Sequence, residues 1–185
     1  IDHADTLAAL AHGDIRPVLV SPEQLRSWTN YRPRHGARPS CAVQIDTGMN
    51  RFGLGVIQAE TLAETIREVS PSLLMTHFVS SEYRDDPLNE RQIERFERAT
   101  ARLPGIARSM ANSSGIFLPQ QPFFDLVRPG YALYGGNPFS DQPNPMRPVV
   151  RLTAPILQLR EVEAGETVGY NAQWTAKRRS RLAVI

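Results

Sequence analysis

Lysine is almost missing from this sequence. Among its 21 basic residues only Lys177 is a lysine, and the rest are arginine. Any chemistry that needs an amine must therefore use Lys177 or a residue outside these 185 positions. Cysteine is equally scarce. With Cys41 alone there is no disulfide framework and no cysteine-based zinc site. No apolar run approaches the roughly 18 residues that span a bilayer. There is no signal peptide, so a reducing cytoplasm is the expected setting. Net charge is +2, too small to mark a nucleic-acid binder. No Walker A loop, no dinucleotide-type glycine fingerprint after a strand, no HExxH and no GxSxG occurs.

What is present is a globular composition, with 41% hydrophobic and 22% charged residues, which excludes disordered and collagen-like classes. The ends are unusual. The chain starts at Ile1, inside a helix-like stretch at Asp5–Ala11, and stops at Arg181–Ile185, which reads as a strand in mid-course. Natural domains end in polar, exposed segments, so we read the chain as an internal piece of a longer protein.

Short apolar runs alternate with helical ones up to about residue 136. Strands are expected at Ile15–Val20, Cys41–Ile45, Leu73–Thr76, Ile106–Met110 and Phe124–Val127. Helices are expected from Ser21 to Trp28, from Ala59 to Val69 and from Asn89 to Arg102, where Ile93, Phe96 and Leu103 form the apolar stripe. A short helix follows near Gly115–Leu118. This order implies parallel βαβ units. Residues 137–148 carry four prolines in twelve positions and read as a linker. Beyond them, Val149–Val162, a turn at Glu163–Glu166 and a second extended run have no helical period and imply antiparallel β structure. The domain reading is a partial β/α barrel over 1–136, a linker over 137–148 and the start of a β domain over 149–185.

Unusual polar residues follow each expected strand. Asp46–Gly53 follows the second, His77 the third, Asn112–Gly115 the fourth and Arg128–Tyr131 the fifth. In a β/α barrel those strand ends form the active-site face, and phosphate is commonly held by the last loops. Hydroxyls with free backbone N–H groups at a helix start suit that task. Taken singly, each has a plainer reading. His77 fits a satisfied core histidine, Arg51 a surface ion pair, Arg128 a half-buried arginine in need of a partner, and Asp46 a turn residue bonding nearby amides. Tyr170 alone is a strand tyrosine. Lys177–Arg181 is a basic run that fits a solvated hairpin tip better than a nucleic-acid site.

Five segments in order resemble one family. They are Asp46-Thr-Gly-Met-Asn-Arg51-Phe-Gly-Leu, Met75-Thr-His77-Phe, Ala111-Asn-Ser113-Ser, Val127-Arg128-Pro-Gly-Tyr-Ala-Leu-Tyr-Gly135 and Val168-Gly-Tyr170-Asn-Ala. Together they resemble alanine racemase, an isomerase that uses pyridoxal 5'-phosphate, over nearly the whole chain.

The resemblance implies the second part of a pyridoxal-phosphate-binding β/α (TIM-like) barrel followed by the start of a C-terminal antiparallel β domain. It implies a homodimer that interconverts L- and D-alanine for peptidoglycan synthesis by a two-base mechanism. By this resemblance, Arg51 touches the cofactor phenolate oxygen and the substrate carboxylate. Arg128 faces the pyridine nitrogen, and His77 links Arg128 to the catalytic tyrosine. Ser113 and the backbone of Gly130 and Tyr131 hold the phosphate. Tyr170 is the base on the L-face of alanine and reaches the partner subunit's active site.

Two departures stand out. Gln44 occupies the place of a carbamylated lysine found in many members, so Arg51 would lack a negative neighbour there. The lysine that binds the cofactor aldehyde is absent, and Lys177 is no substitute, so the isolated chain is expected to be inactive. A broader-specificity amino-acid racemase and a non-catalytic cofactor-binding barrel are the alternatives.

Overall fold

The computed structural model describes residues 15–32 and 39–185; the helix-like stretch at Asp5–Ala11 lies outside them. The chain divides into two units, Ile1–Val149 and Val150–Ile185.

The first unit is built on parallel strands β1 (Val18–Leu19), β2 (Ala42–Asp46), β3 (Leu54–Gly55), β4 (Leu73–Met75), β5 (Arg108–Asn112) and β6 (Leu126–Arg128). Their order across the sheet is β1-β2-β4-β5-β6, with β3 paired to the end of β2. Every pair is parallel. Because spatial order follows chain order without reversal, the sheet is singly wound, as in the wall of a β/α barrel rather than a doubly wound sheet.

The crossovers carry helices α1 (Pro22–Asn30), α2 (Val56–Thr61), α3 (Ala63–Val69) and α4 (Pro87–Thr100). Two of them start on a built cap. Ser21 accepts from the Gln24 amide ahead of Pro22, and Asp86 accepts from the Leu88 amide ahead of Pro87. A side-chain acceptor followed by proline at the first helical position satisfies and pre-sets a helix start. Leu25, Trp28, Ala59, Ile66, Val69 and Phe96 from the helices, with Leu103 just past α4, pack on Leu19, Val43, Ile45, Leu74 and Met110 from the strands. Phe96 meets Phe124 edge-on at 5.3 Å between ring centroids.

Several expected elements are displaced, each for a local reason. The first strand pairs only at Val18–Leu19, because Pro17 has no N–H to offer, although its carbonyl accepts from Ala42 at 2.8 Å. The helix expected over Ala59–Val69 starts earlier and breaks at Leu62 into α2 and α3. Gln58 accepts from the Gly55 amide at 2.9 Å and opens α2. Thr61 turns its hydroxyl back onto the Ile57 carbonyl at 2.8 Å, a contact that bends helices. β6 starts after Phe124, whose φ of 50° excludes it from a strand. β5 runs two residues past its expected end, which places Asn112 opposite Arg128. On α4 the fully buried positions are Asn89, Gln92, Phe96, Ala99 and Thr100, while Ile93 is only partly covered.

The second unit holds two antiparallel pairs. β7 (Gln158–Val162) pairs with β10 (Ser180–Val184), and β8 (Thr167–Val168) pairs with β9 (Trp174–Thr175). The extended run expected from Val149 narrows to β7, which is as much as β10 has length to pair. Lys177 lies between β9 and β10, in a link between two sheets rather than at a hairpin tip. Arg179, two residues on, pairs with Glu161 and with Glu163.

Candidate active site

The polar residues of the first unit gather where the parallel strands end. Arg128 is the last residue of β6 and is half-buried. Its Nη2 donates to the Thr76 carbonyl at 2.6 Å, and its Nη1 donates to Ser109 Oγ. Ser109 in turn donates to the Leu126 carbonyl at 2.7 Å. It stands where the β5–β6 register shifts, between Ser109 and Asn112, and stitches the two strands where the ladder fails. Nη2 also lies 3.4 Å from His77 Nδ1 and 3.5 Å from the Met110 carbonyl.

Among the described residues, no carboxylate lies within ion-pair distance of Arg128. A half-buried cation is costly without a partner, and here carbonyls and one hydroxyl stand in for a counter-ion. Burial pulls its pKa below the usual arginine value. The residue starts so high that it keeps its proton. The Nε–H and one Nη1 hydrogen have no acceptor among the described residues, so the guanidinium can still donate to a ligand.

His77 follows β4 and is half-buried. An arginine N–H only donates, so Nδ1 facing it must accept, which places the ring proton on Nε2. Burial first, then the charges of Arg128 and Arg51, hold the imidazole below its ordinary pKa. The neutral ring is therefore the working form, with Nε2–H available to a further acceptor. Arg51 is exposed in the turn after β2, near enough for its charge to act on His77. That turn is shaped by Asp46, whose carboxylate accepts from the Gly48 amide at 2.8 Å, as its turn reading expects. Gly53 closes the turn at φ 125°, where a Cβ would sit 2.8 Å from the Asp46 amide and 2.9 Å from Gln44 Cγ. Only glycine fits there.

Ser113 lies one residue past β5 and is buried. Its Oγ accepts from the Ala132 amide at 3.0 Å, which leaves its O–H to donate outward. Ala132 belongs to the short helix α5 (Gly130–Leu133) after β6. Gly130 and Tyr131 open that helix, so their N–H groups have no carbonyl of the preceding turn. Space around Gly130 is open, with nothing within 4 Å of where a Cβ would stand. At Gly115 a Cβ would press on the Phe78 ring at 3.0 Å. Its amide donates to Asn112 Oδ1 at 2.8 Å.

Arg51, His77, Ser113, Arg128, Gly130 and Tyr131 therefore share the strand-end face of the first unit. Tyr170 is in the second unit, in the β8–β9 connection, and is 96% exposed. Gly169 precedes it at φ 80°, and Asn171 and Ala172 follow at 58° and 51°. Lys177 is exposed in that same unit.

Ser109 and Thr76 hold Arg128 and were not singled out in the sequence. A serine ahead of Met110 and Ala111 in a buried strand is the sequence signal for Ser109; nothing marks the Thr76 backbone carbonyl.

The donor set fits a phosphorylated pyridine. A hydroxyl and two helix-start amides are the donors a phosphate would need, and a guanidinium with spare donors is one a ring nitrogen would need. The family model for the alanine racemase N-terminal domain matches residues 2–138, and that for the C-terminal domain matches residues 149–185. The alanine racemase of Methylobacterium sp. (strain 4-46) is 48% identical over 173 residues, covering 92% of this chain and 48% of that protein. The biosynthetic alanine racemase of Agrobacterium fabrum is 42% identical, covering 92% and 44%. The alanine racemase structure from Bartonella henselae, with covalently bound pyridoxal phosphate, superposes with a TM-score of 0.79 at 33% identity, covering 99% of this chain and 52% of that one. The chain thus spans about half the length of these relatives. With both family models matched in order, and with the singly wound parallel arc and the antiparallel pairs beyond it, the chain belongs to the alanine racemase family.

Proposed function

We propose that the protein containing this chain is a pyridoxal-phosphate-dependent racemase that interconverts L- and D-alanine. The observation that carries the reading is Arg128. It is a half-buried arginine at a strand end, without a carboxylate partner among the described residues, with donors to spare and a neutral histidine beside it.

When bound, pyridoxal phosphate supplies an electron-withdrawing ring that acidifies the α-hydrogen of an amino acid joined to its aldehyde carbon. The chain's residues divide the remaining work. Ser113 O–H and the amides of Gly130 and Tyr131 hold the phosphate. Arg128 would donate to the ring nitrogen and, as a guanidinium, would keep its own proton and leave that nitrogen unprotonated. Arg51 binds the substrate carboxylate and the phenolate oxygen. Gln44 lies on β2 beside the turn that carries Arg51 and brings no charge to it.

Tyr170 takes the proton on the L-face. Its full exposure within its own unit suits a residue offered to a second copy of the chain, so we place it in the partner subunit's active site in a homodimer. We assign His77 Nε2–H as the donor to the Tyr170 oxygen, since Nδ1 is taken up by Arg128. We place the lysine that binds the aldehyde and serves the D-face in the part of the protein this sequence does not cover. The enzyme's product suits peptidoglycan synthesis in the cytoplasm, and among the described residues no helix is long and apolar enough to cross a membrane.

The test is the full-length protein, purified with pyridoxal phosphate and given L-alanine, with D-alanine measured over time. Racemisation lost in Arg128→Glu supports the reading. A folded, cofactor-loaded protein that produces no D-alanine overturns it.

A further inference from the structure

Helix α4 carries six charged residues among its fourteen, yet Gln92 on its inner face is fully buried. Its Oε1 accepts from the Val79 amide at 2.9 Å, and its Nε2 donates to the His77 carbonyl at 3.0 Å. The other Nε2 hydrogen goes to Thr47 Oγ1, also at 3.0 Å. Thr47 Oγ1 is 2.8 Å from Thr76 Oγ1. One helical turn on, Arg95 donates to the Thr47 carbonyl at 3.0 Å. The orientation of the amide follows from this set, because two oxygens face its nitrogen and one N–H faces its oxygen.

A group that donates to the carbonyl of one residue and accepts from the N–H two residues on repeats what a residue of a neighbouring parallel strand does. β4 ends at Met75, and the side-chain amide of Gln92 continues the ladder past that end, bracketing Phe78 between the His77 carbonyl and the Val79 amide. It also ties this segment to Thr47 after β2. A buried glutamine whose oxygen and both amide hydrogens are partnered rigidifies the segments it joins.

We propose that Gln92 is a positioning residue: it fixes the backbone of His77 so that the imidazole stays against Arg128. The proposal rests on the functional reading of His77 and Arg128 given above. Gln92 acts through His77 and touches neither substrate nor cofactor.

The experiment uses the full-length protein, wild type and the variants Gln92→Glu, Gln92→Leu, Thr47→Val and Thr100→Val. Gln92→Glu keeps the shape and the acceptor for Val79 and puts lone pairs against the His77 carbonyl. Thr47→Val removes one of the two acceptors of Nε2 and leaves the amide freer. Thr100→Val loses a buried hydroxyl bonded to the Phe96 carbonyl on the same helix and tests general damage.

The first readout is the titration of His77 by NMR in cofactor-free protein. The groups whose charge acts on that ring are Arg128 and Arg51. In both Gln92 variants the ring moves out of its buried setting, so its pKa rises toward the ordinary value; Thr47→Val gives a smaller shift in the same direction. The second readout is kinetic. In the Gln92 variants kcat falls about tenfold to 100-fold, with a smaller change in KM for alanine. Thr100→Val lowers Tm and leaves both the titration and kcat as in wild type. The third is hydrogen exchange in the wild type, where the Val79 amide exchanges slowly although it lies outside any strand.

Wild-type His77 titration and kcat in the folded Gln92 variants overturn the proposal. So do equal effects from Thr100→Val, or fast exchange at Val79 in the wild type. The titration and the exchange are read without cofactor, so absence of racemisation in the wild type counts against the functional reading alone.

Discussion

His77 Nδ1 faces Arg128 Nη2 at 3.4 Å, so a histidine and an arginine sit side by side with the histidine as acceptor. Protonating the ring would set two cations against each other across that contact. The pair therefore stores a pH dependence as well as a hydrogen bond.

The direction of that dependence follows from His77's lowered pKa. Above the ordinary value of 6.5, folded and unfolded chains both hold a neutral ring and the group contributes no slope. As pH falls below it, the unfolded chain takes up the proton first, and stability declines until the lowered folded value is passed. Denaturant midpoints of the full-length protein should fall through this window, and His77→Gln should flatten that part of the profile. A profile that His77→Gln leaves unchanged contradicts the lowered value.

Removing the Arg128 side chain leaves the Thr76 carbonyl and Ser109 Oγ without their donor. Arg128→Ala should cost about 1–3 kcal/mol of stability and abolish racemisation. Arg128→Lys should recover part of the stability and little of the activity, because an ammonium cannot reproduce the planar fork. Thermal unfolding alongside D-alanine production separates the two effects.

Ser113→Ala removes an acceptor for the Ala132 amide and, on the proposed reading, the donor to the phosphate. Affinity for pyridoxal phosphate should fall about tenfold or more, in line with a lost hydrogen bond to a charged group. Titration of cofactor-free protein measures it directly. Unchanged affinity would place the phosphate elsewhere.

For Tyr170 the expectation separates stability from chemistry. The ring is almost fully exposed in its own unit, so Tyr170→Phe should shift the unit's stability by less than about 0.5 kcal/mol. Exchange of the α-hydrogen of L-alanine with solvent deuterium should stop, while exchange from D-alanine persists. Mixing Tyr170→Phe chains with chains lacking the aldehyde-binding lysine should restore activity in heterodimers. Proven heterodimers without activity would place Tyr170 outside the partner's site.

Much of this was legible in the sequence because parallel strand ends carry their polar residues in chain order. Asp46, His77, Asn112 and Arg128 each mark such an end, and the alternation of strand and helix needs only local pattern. Less legible were contacts set by three-dimensional neighbours. Ser109 looks like an unremarkable strand serine until the shifted β5–β6 register turns it toward Arg128. Gln92 is one polar residue among many on α4, and its burial depends on where α4 docks. Phe124 has every strand preference, yet packing against Phe96 and a positive φ remove it from β6. The relation of His77 to Arg128 rests on family resemblance, since nothing in spacing alone joins the segment after β4 to the end of β6.

The strand order β1-β2-β4-β5-β6 also bears on how the first unit comes to be made. Each of these strands pairs with the next in that order, so among the described residues no pairing within the arc waits for a segment far downstream. Loop closures stay short, and the entropy spent before contacts form stays small. Such an arc can grow one strand–helix step at a time as the chain leaves the ribosome, each step docking on an edge already in place. On that schedule the edge of β4 is ready before β5 is synthesised. Arg128, at the end of β6, is the last of these strand-borne groups to arrive, and Thr76, His77 and Ser109 are already folded to receive it.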